Sequence, residues 1–194
     1  MYIPYCKGLK KSLWSEGGRI VKKKYICAGL FVATAILLMS SVEKLYALSY
    51  LPTKFSVVVH AITYGVAAAA LLLNNRKIDY AVCALAVIAA LTVLGGTWYF
   101  TAKHLVRAIL NIGMLLLFAA SSYSKKAKLS YMAGGLELLG FVVERIWDLV
   151  TVHYTTAVGN ELVVVVPLVA ALILRGKLYA NKEKETAHTK EVKE

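Results

Sequence analysis

The chain has 194 residues, is 59% hydrophobic with a mean hydropathy of +0.62, and carries a formal net charge of +12. Soluble domains are roughly 45–50% apolar, and a chain this short cannot bury nearly every helix on all sides. The basic residues sit at the ends of apolar blocks, where they meet anionic lipid and set topology, so the charge argues against a nucleic-acid site. The three cysteines, Cys6, Cys27 and Cys83, have neither disulfide-framework nor metal-ligand spacing and read as small packing residues. The chain has no glutamine and a Lys/Glu-rich tail, a bias that points to a thermophilic source.

Residues 1–24 form a basic arm in which Leu9, Leu13 and Trp14 suit one face of a short interfacial helix ended by Gly17-Gly18. The arm is too basic and too broken for a signal peptide. Six apolar blocks follow across 25–174, each the length of a membrane crossing of about 30 Å. They run over roughly 25–42, 55–73, 78–100, 104–123, 129–152 and 158–174. Tyr46, Tyr50 and Trp98-Tyr99-Phe100 suit the interface. Pro167 is expected to kink the last block. A charged tail follows over 175–194, and its KEKETAHTKEVKE stretch has no apolar face and is expected to be disordered or a solvated helix end.

Topology follows from the basic residues. Of the 23 Lys and Arg, eighteen lie in the arm, at Arg76-Lys77, at Lys125 to Lys128 and from Arg175 onward. Only Lys44, Lys54, Lys103 and Arg107 flank the blocks on the other side. The predicted fold is therefore an all-α integral membrane protein, a six-transmembrane-helix bundle with both termini cytoplasmic. The expected setting is a multi-pass protein of the cell membrane, with anionic lipid at its cytoplasmic face.

The fifth block carries the chemistry. Glu137, Glu144 and Asp148 fall within about 20° of one another at 100° per residue. A charge at the bilayer centre costs about 2.5–3.5 kcal/mol on insertion scales, so an acidic stripe needs partners. At ~1.5 Å per residue from the cytoplasmic end, Glu137 lies about 13 Å deep, and His60, Asn111 and Glu144 about 21–24 Å. Glu43, Arg107 and Arg145 lie farther out, at about 26–29 Å. His104, Arg107 and Asn111 share one face of the fourth block, and Ser56, His60 and Tyr64 recur at i, i+4, i+8 in the second. Arg107 is expected to pair with Glu144 or Asp148, and Arg145 with Glu43 or lipid headgroups. Glu137 needs either a cation or a hydroxyl neighbour, for which Thr34 has the right depth. The candidate ligand- or ion-binding set is thus Glu137, Glu144, Asp148, Arg107, Asn111, His60, Tyr64 and Glu43.

No Walker A motif, nucleophile elbow, HExxH or Rossmann glycine pattern occurs, and no catalytic residue is assigned. The leading reading is a transport component for a polar solute, an ion or protons. In topology the chain resembles the substrate-binding membrane subunits of energy-coupling-factor vitamin transporters: six spans, both termini inside, about this length. That resemblance implies an outward-facing pocket and assigns no residues. The alternatives are a redox subunit binding quinone or haem b, with His60, His104 and His153 as histidines to consider, and a non-catalytic accessory subunit. A homo-oligomer or a larger membrane complex fits any of these.

Overall fold

A computed structural model describes the backbone of residues 6–40, 51, 53–95, 102–151 and 158–191. Within those ranges, side chains are described except at 6–17, 19, 103, 151, 158–160 and 185–191. The described chain is all-helical: α1 (Cys6–Ser40), α2 (Lys54–Leu73), α3 (Arg76–Gly95), α4 (Ala102–Ser124), α5 (Ala127–Thr151) and α6 (Val158–Glu191). Five of them contain segments long and apolar enough to cross a membrane: 20–40, 54–73, 76–95, 104–124 and 161–184. This is the form of a multi-pass membrane protein. Helix α5 has the length, but its charges keep it out of that set.

Two junctions are tight because a residue adopts the left-handed conformation. Asn74 caps α2 at φ 50°, its N–H donating to Ala70 O, and Asn75 then starts α3 by accepting from Lys77 N at 2.9 Å. Lys125 does the same after α4 at φ 58°, its N–H donating to Ser121 O at 2.9 Å. Asparagine tolerates this conformation better than most residues, and a local hydrogen bond offsets the cost for lysine. At the other end, Thr53 caps α2, its hydroxyl accepting from Ser56 N at 3.1 Å. We call the two ends of the bundle the tight-turn end and the long-connection end.

Each helix packs on its neighbours in sequence, and α1 closes on α6, so the six form a ring. Its surface is apolar, with Ile36, Leu91, Ile109, Leu139 and Val166 exposed. Its interior is filled rather than hollow. Phe31, Tyr64 and Phe118, from α1, α2 and α4, meet with ring centroids 5.8–6.1 Å apart, in the range aromatic pairs favour. The largest of the fully buried side chains is Arg107. An apolar outside around a charged inside is the pattern expected when lipid rather than water is the solvent.

Two helices run farther than the apolar blocks. Helix α1 passes through Gly17-Gly18 without a break, and α6 passes through Pro167 and on to Glu191. The charged tail is thus a helix end for most of its length.

Candidate functional site

Helix α5 places Glu137, Gly140, Glu144 and Asp148 along one face, and that face is turned into the ring. Glu137 and Glu144 are fully buried and Asp148 is 8% exposed. Arg107 of α4 lies across them. Its Nη2 donates to Glu137 Oε1 at 2.6 Å and its Nη1 to Glu137 Oε2 at 3.3 Å. This is the two-pronged arrangement in which a guanidinium binds a carboxylate best. Its Nε stands 3.6 Å from Glu144 Oε2 and 3.6 Å from Glu161 Oε1 of α6. Three carboxyls from two helices therefore surround one guanidinium.

Gly140 makes this contact feasible. A Cβ at that position would strike Arg107 Nη1 and lie 3.2 Å from its Cδ and Cζ. The missing side chain opens a slot in α5 between Glu137 and Glu144, and the guanidinium lies in it.

Arg145 binds the outer part of the cluster. It is bonded to Glu161 Oε2, lies 3.1 Å from Asp148 Oδ2 and 3.9 Å from Glu144 Oε2, and stacks 5.5 Å above the Phe141 ring. His104 Nδ1 is 3.8 Å from Glu144 Oε1. Its side chain is 29% exposed, which places it at the rim. Left uncompensated at the bilayer centre, six charges of this kind would cost on the order of 15–20 kcal/mol. That exceeds the usual 5–15 kcal/mol stability of a whole domain, so the groups can only be held there by one another. Among the described side chains the balance is nevertheless unequal, with four carboxyls facing two guanidinium groups and the His104 imidazole.

Beside the ion cluster is a neutral polar pair. His60 Nδ1 lies 2.7 Å from Ser56 O, and its Nε2 lies 3.3 Å from Asn111 Oδ1. With Nδ1 donating to the carbonyl, Nε2 either accepts from the Asn111 amide in the neutral ring or donates to Oδ1 in the protonated one. Both nitrogens are thus engaged, and axial ligation of a haem iron by His60 would break one of these bonds. Tyr64 packs edge-on against His60 at 6.4 Å and belongs to the aromatic layer below.

The structure brings seven of the eight sequence-derived residues to the ring interior: His60, Tyr64, Arg107, Asn111, Glu137, Glu144 and Asp148. Glu43 lies outside the described residues, as does His153. The expected pairing of Arg107 with Glu144 is present, at 3.6 Å, but its closest pairing is with Glu137, at 2.6 Å. The hydrogen bonds to Glu137 were not expected, and they form because the arginine side chain is long and Gly140 admits it. Arg145 turns inward to Glu161, Asp148 and Glu144 rather than toward lipid headgroups. Thr34 does not serve Glu137, since its hydroxyl donates to Leu30 O of its own helix at 2.8 Å.

Glu161 is the member that sequence reasoning missed. Its signal was a lone acid at the head of the apolar run LVVVVPLVAAL, which reads equally well as a favourable first-turn charge. Gly140 was missed as well, although it sits between two acids on their own helix face. No known protein family, no curated protein and no solved structure matches this chain.

Proposed function

We propose that this chain spans the membrane six times with both termini in the cytoplasm, and that it is a transport component that takes up protons or small cations. The site is the acid-rich cluster around Arg107, in the outer half of the bilayer. The six-span count adds α5 to the five apolar helices on the ground that its charges face inward and its outer face is lipid-like. The orientation rests on the basic residues gathered at the tight-turn end and the two termini.

The observation that carries the functional reading is the excess of buried carboxyls over guanidinium groups. Glu144 and Glu161 both flank Arg107 Nε at 3.6 Å, and both also face Arg145 Nη2, to which Glu161 is bonded and Glu144 lies at 3.9 Å, so the two acids share the same two guanidinium groups. A purely structural ion pair has no use for a second acid, because each further like charge brought into a buried site is costly. A proton or a cation relieves that cost. Its arrival changes which carboxyls Arg107 and Arg145 must hold, so occupancy is coupled to the packing of α4, α5 and α6. His104, half in the site and half exposed, gives the cluster an opening toward the outer aqueous side. The aromatic layer of Phe31, Tyr64 and Phe118 separates it from the other end. A polar solute carrying a cationic group would exploit the same acids.

The test is flux in proteoliposomes loaded with a pH-sensitive dye, with a potassium diffusion potential set by valinomycin. Acidification on imposing a negative interior is expected, altered by sodium if the cation competes with the proton. Glu144→Gln and Glu161→Gln should abolish the response. Dye traces identical to those of protein-free vesicles, with and without sodium, would reject the reading and leave an accessory role.

A further inference from the structure

Arg107 is not the only arginine buried in the ring. At the tight-turn end, Arg175 of α6 is 3% exposed, and its bonded partners are neutral. Its Nε donates to the Tyr179 hydroxyl at 2.8 Å and its Nη2 to the Ser122 hydroxyl at 2.6 Å. The guanidinium lies over the Phe118 ring at 4.5 Å and the Tyr179 ring at 5.2 Å. Its Nη1 has no hydrogen-bond partner. Among the described residues no carboxylate forms an ion pair with it. The nearby acid, Asp79 of α3, is bonded instead to Lys125 Nζ. Among the described residues, Arg175 and Lys125 therefore face the one carboxylate of Asp79.

The guanidinium borders a small gap whose walls include Ala67, Asp79, Val82, Ser122 and Tyr179. Its volume, about 10 Å³, gives room for one small guest. Donors are available there. Nη1 carries two unspent hydrogens, and the Tyr179 hydroxyl, which accepts from Arg175, keeps its own hydrogen to give. A buried cation without a counter-charge is costly, and a neutral water in the gap would leave that charge uncompensated.

We propose that Arg175 and Tyr179 form a second binding site, for a single small monovalent anion of the halide class, with Ser122, whose own hydrogen goes to Phe118 O at 2.9 Å, holding the guanidinium in place. The gap is too small for phosphate or a carboxylic acid. Asp79 shares the gap and weakens the site, but its charge is already opposed by Lys125. This inference stands apart from the transport reading, because it uses neither the Arg107 cluster nor any movement of ions.

The measurement is the chloride NMR line width of the full chain in detergent, titrated with protein at constant ionic strength held with gluconate. A saturable excess width is expected, removed by bromide. Ser122→Ala should weaken it several-fold, Asp79→Asn should tighten it several-fold, and Arg175→Gln should abolish it. The first two variants keep the test decisive if the third does not fold. Absence of saturable broadening in the wild-type chain would overturn the proposal. So would binding that none of the variants alters. Halide binding gained only in Asp79→Asn would also overturn it, since Asp79 would then be the natural counter-ion of Arg175 through a bridging water.

Discussion

Replacing Arg107 by leucine should be among the most damaging single changes in the ring. The side chain is wholly buried and makes two hydrogen bonds to Glu137, at 2.6 and 3.3 Å. Its Nε also serves Glu144 and Glu161. Removing one partner of a buried ion pair costs about 3–5 kcal/mol, because the other charge is left unpaired. Glu137 has no described replacement donor, since Thr34 is committed to its own helix. The variant Arg107→Leu should therefore lose about 3–5 kcal/mol. The double variant Arg107→Leu/Glu137→Leu removes both charges, and apolar replacement of a whole pair is often neutral or stabilising. It should recover most of the loss, though Glu144 and Glu161 will still miss the cation. Unfolding by SDS in mixed micelles, followed by circular dichroism, gives the free energies for the double-mutant cycle. A single-variant loss below about 1 kcal/mol, the size of a solvent-exposed pair, would refute the reasoning. A double variant less stable than the single would refute it equally.

Gly140→Ala should destabilise by about 1–3 kcal/mol through overpacking against Arg107. In contrast, Gly135→Ala meets nothing within 4 Å and should be neutral or gain up to about 1 kcal/mol of helix propensity; the same unfolding assay compares them. Asn111→Ala leaves His60 Nε2 without its partner in a buried site and should cost about 1–3 kcal/mol. Thermal unfolding in detergent measures that, and an unchanged midpoint would show that the pair is not formed. For topology, Asn75→Cys and Lys126→Cys in a background lacking Cys6, Cys27 and Cys83 should react with an impermeant maleimide only from the cytoplasmic side. Thr53→Cys should react only from the outer side, and the reverse labelling would invert the orientation.

Much of the fold is readable in the sequence because a bilayer-length apolar run has few other uses. The block at 55–73 matches α2 almost to the residue, and the acidic stripe on α5 announces an inward face through the cost of charge in lipid. What escaped has identifiable causes. Counting residues gives the depth of a Cα but not the reach of a side chain, so the pairing of Arg107 with Glu144 was legible while its closer pairing with Glu137 was not. Arg175 reads as an ordinary basic flank at the end of an apolar run. Only the continuation of α6 to Glu191 and the Phe118 ring beneath it show that the residue is inside. The glycine pair in the arm suggested a break, but each glycine costs a helix only about 1 kcal/mol, and α1 runs through both. Glu161 was ambiguous for a similar reason, since an acid in a first turn needs no partner to be favourable.

The claim at the centre of this account is that the acid-rich cluster around Arg107 exchanges a proton or a small cation with the aqueous side. Infrared difference spectroscopy of the protein in lipid, on a change of pH or addition of sodium, reads that exchange directly. The account predicts a carbonyl-stretch band from a protonated carboxylic acid that disappears on titration or cation binding, and that is lost or shifted in Glu144→Gln and Glu161→Gln. A spectrum with no protonated carboxyl band and no response to pH or sodium would mean that the acids are permanently ion-paired. The cluster would then be a scaffold that joins helices and not a site.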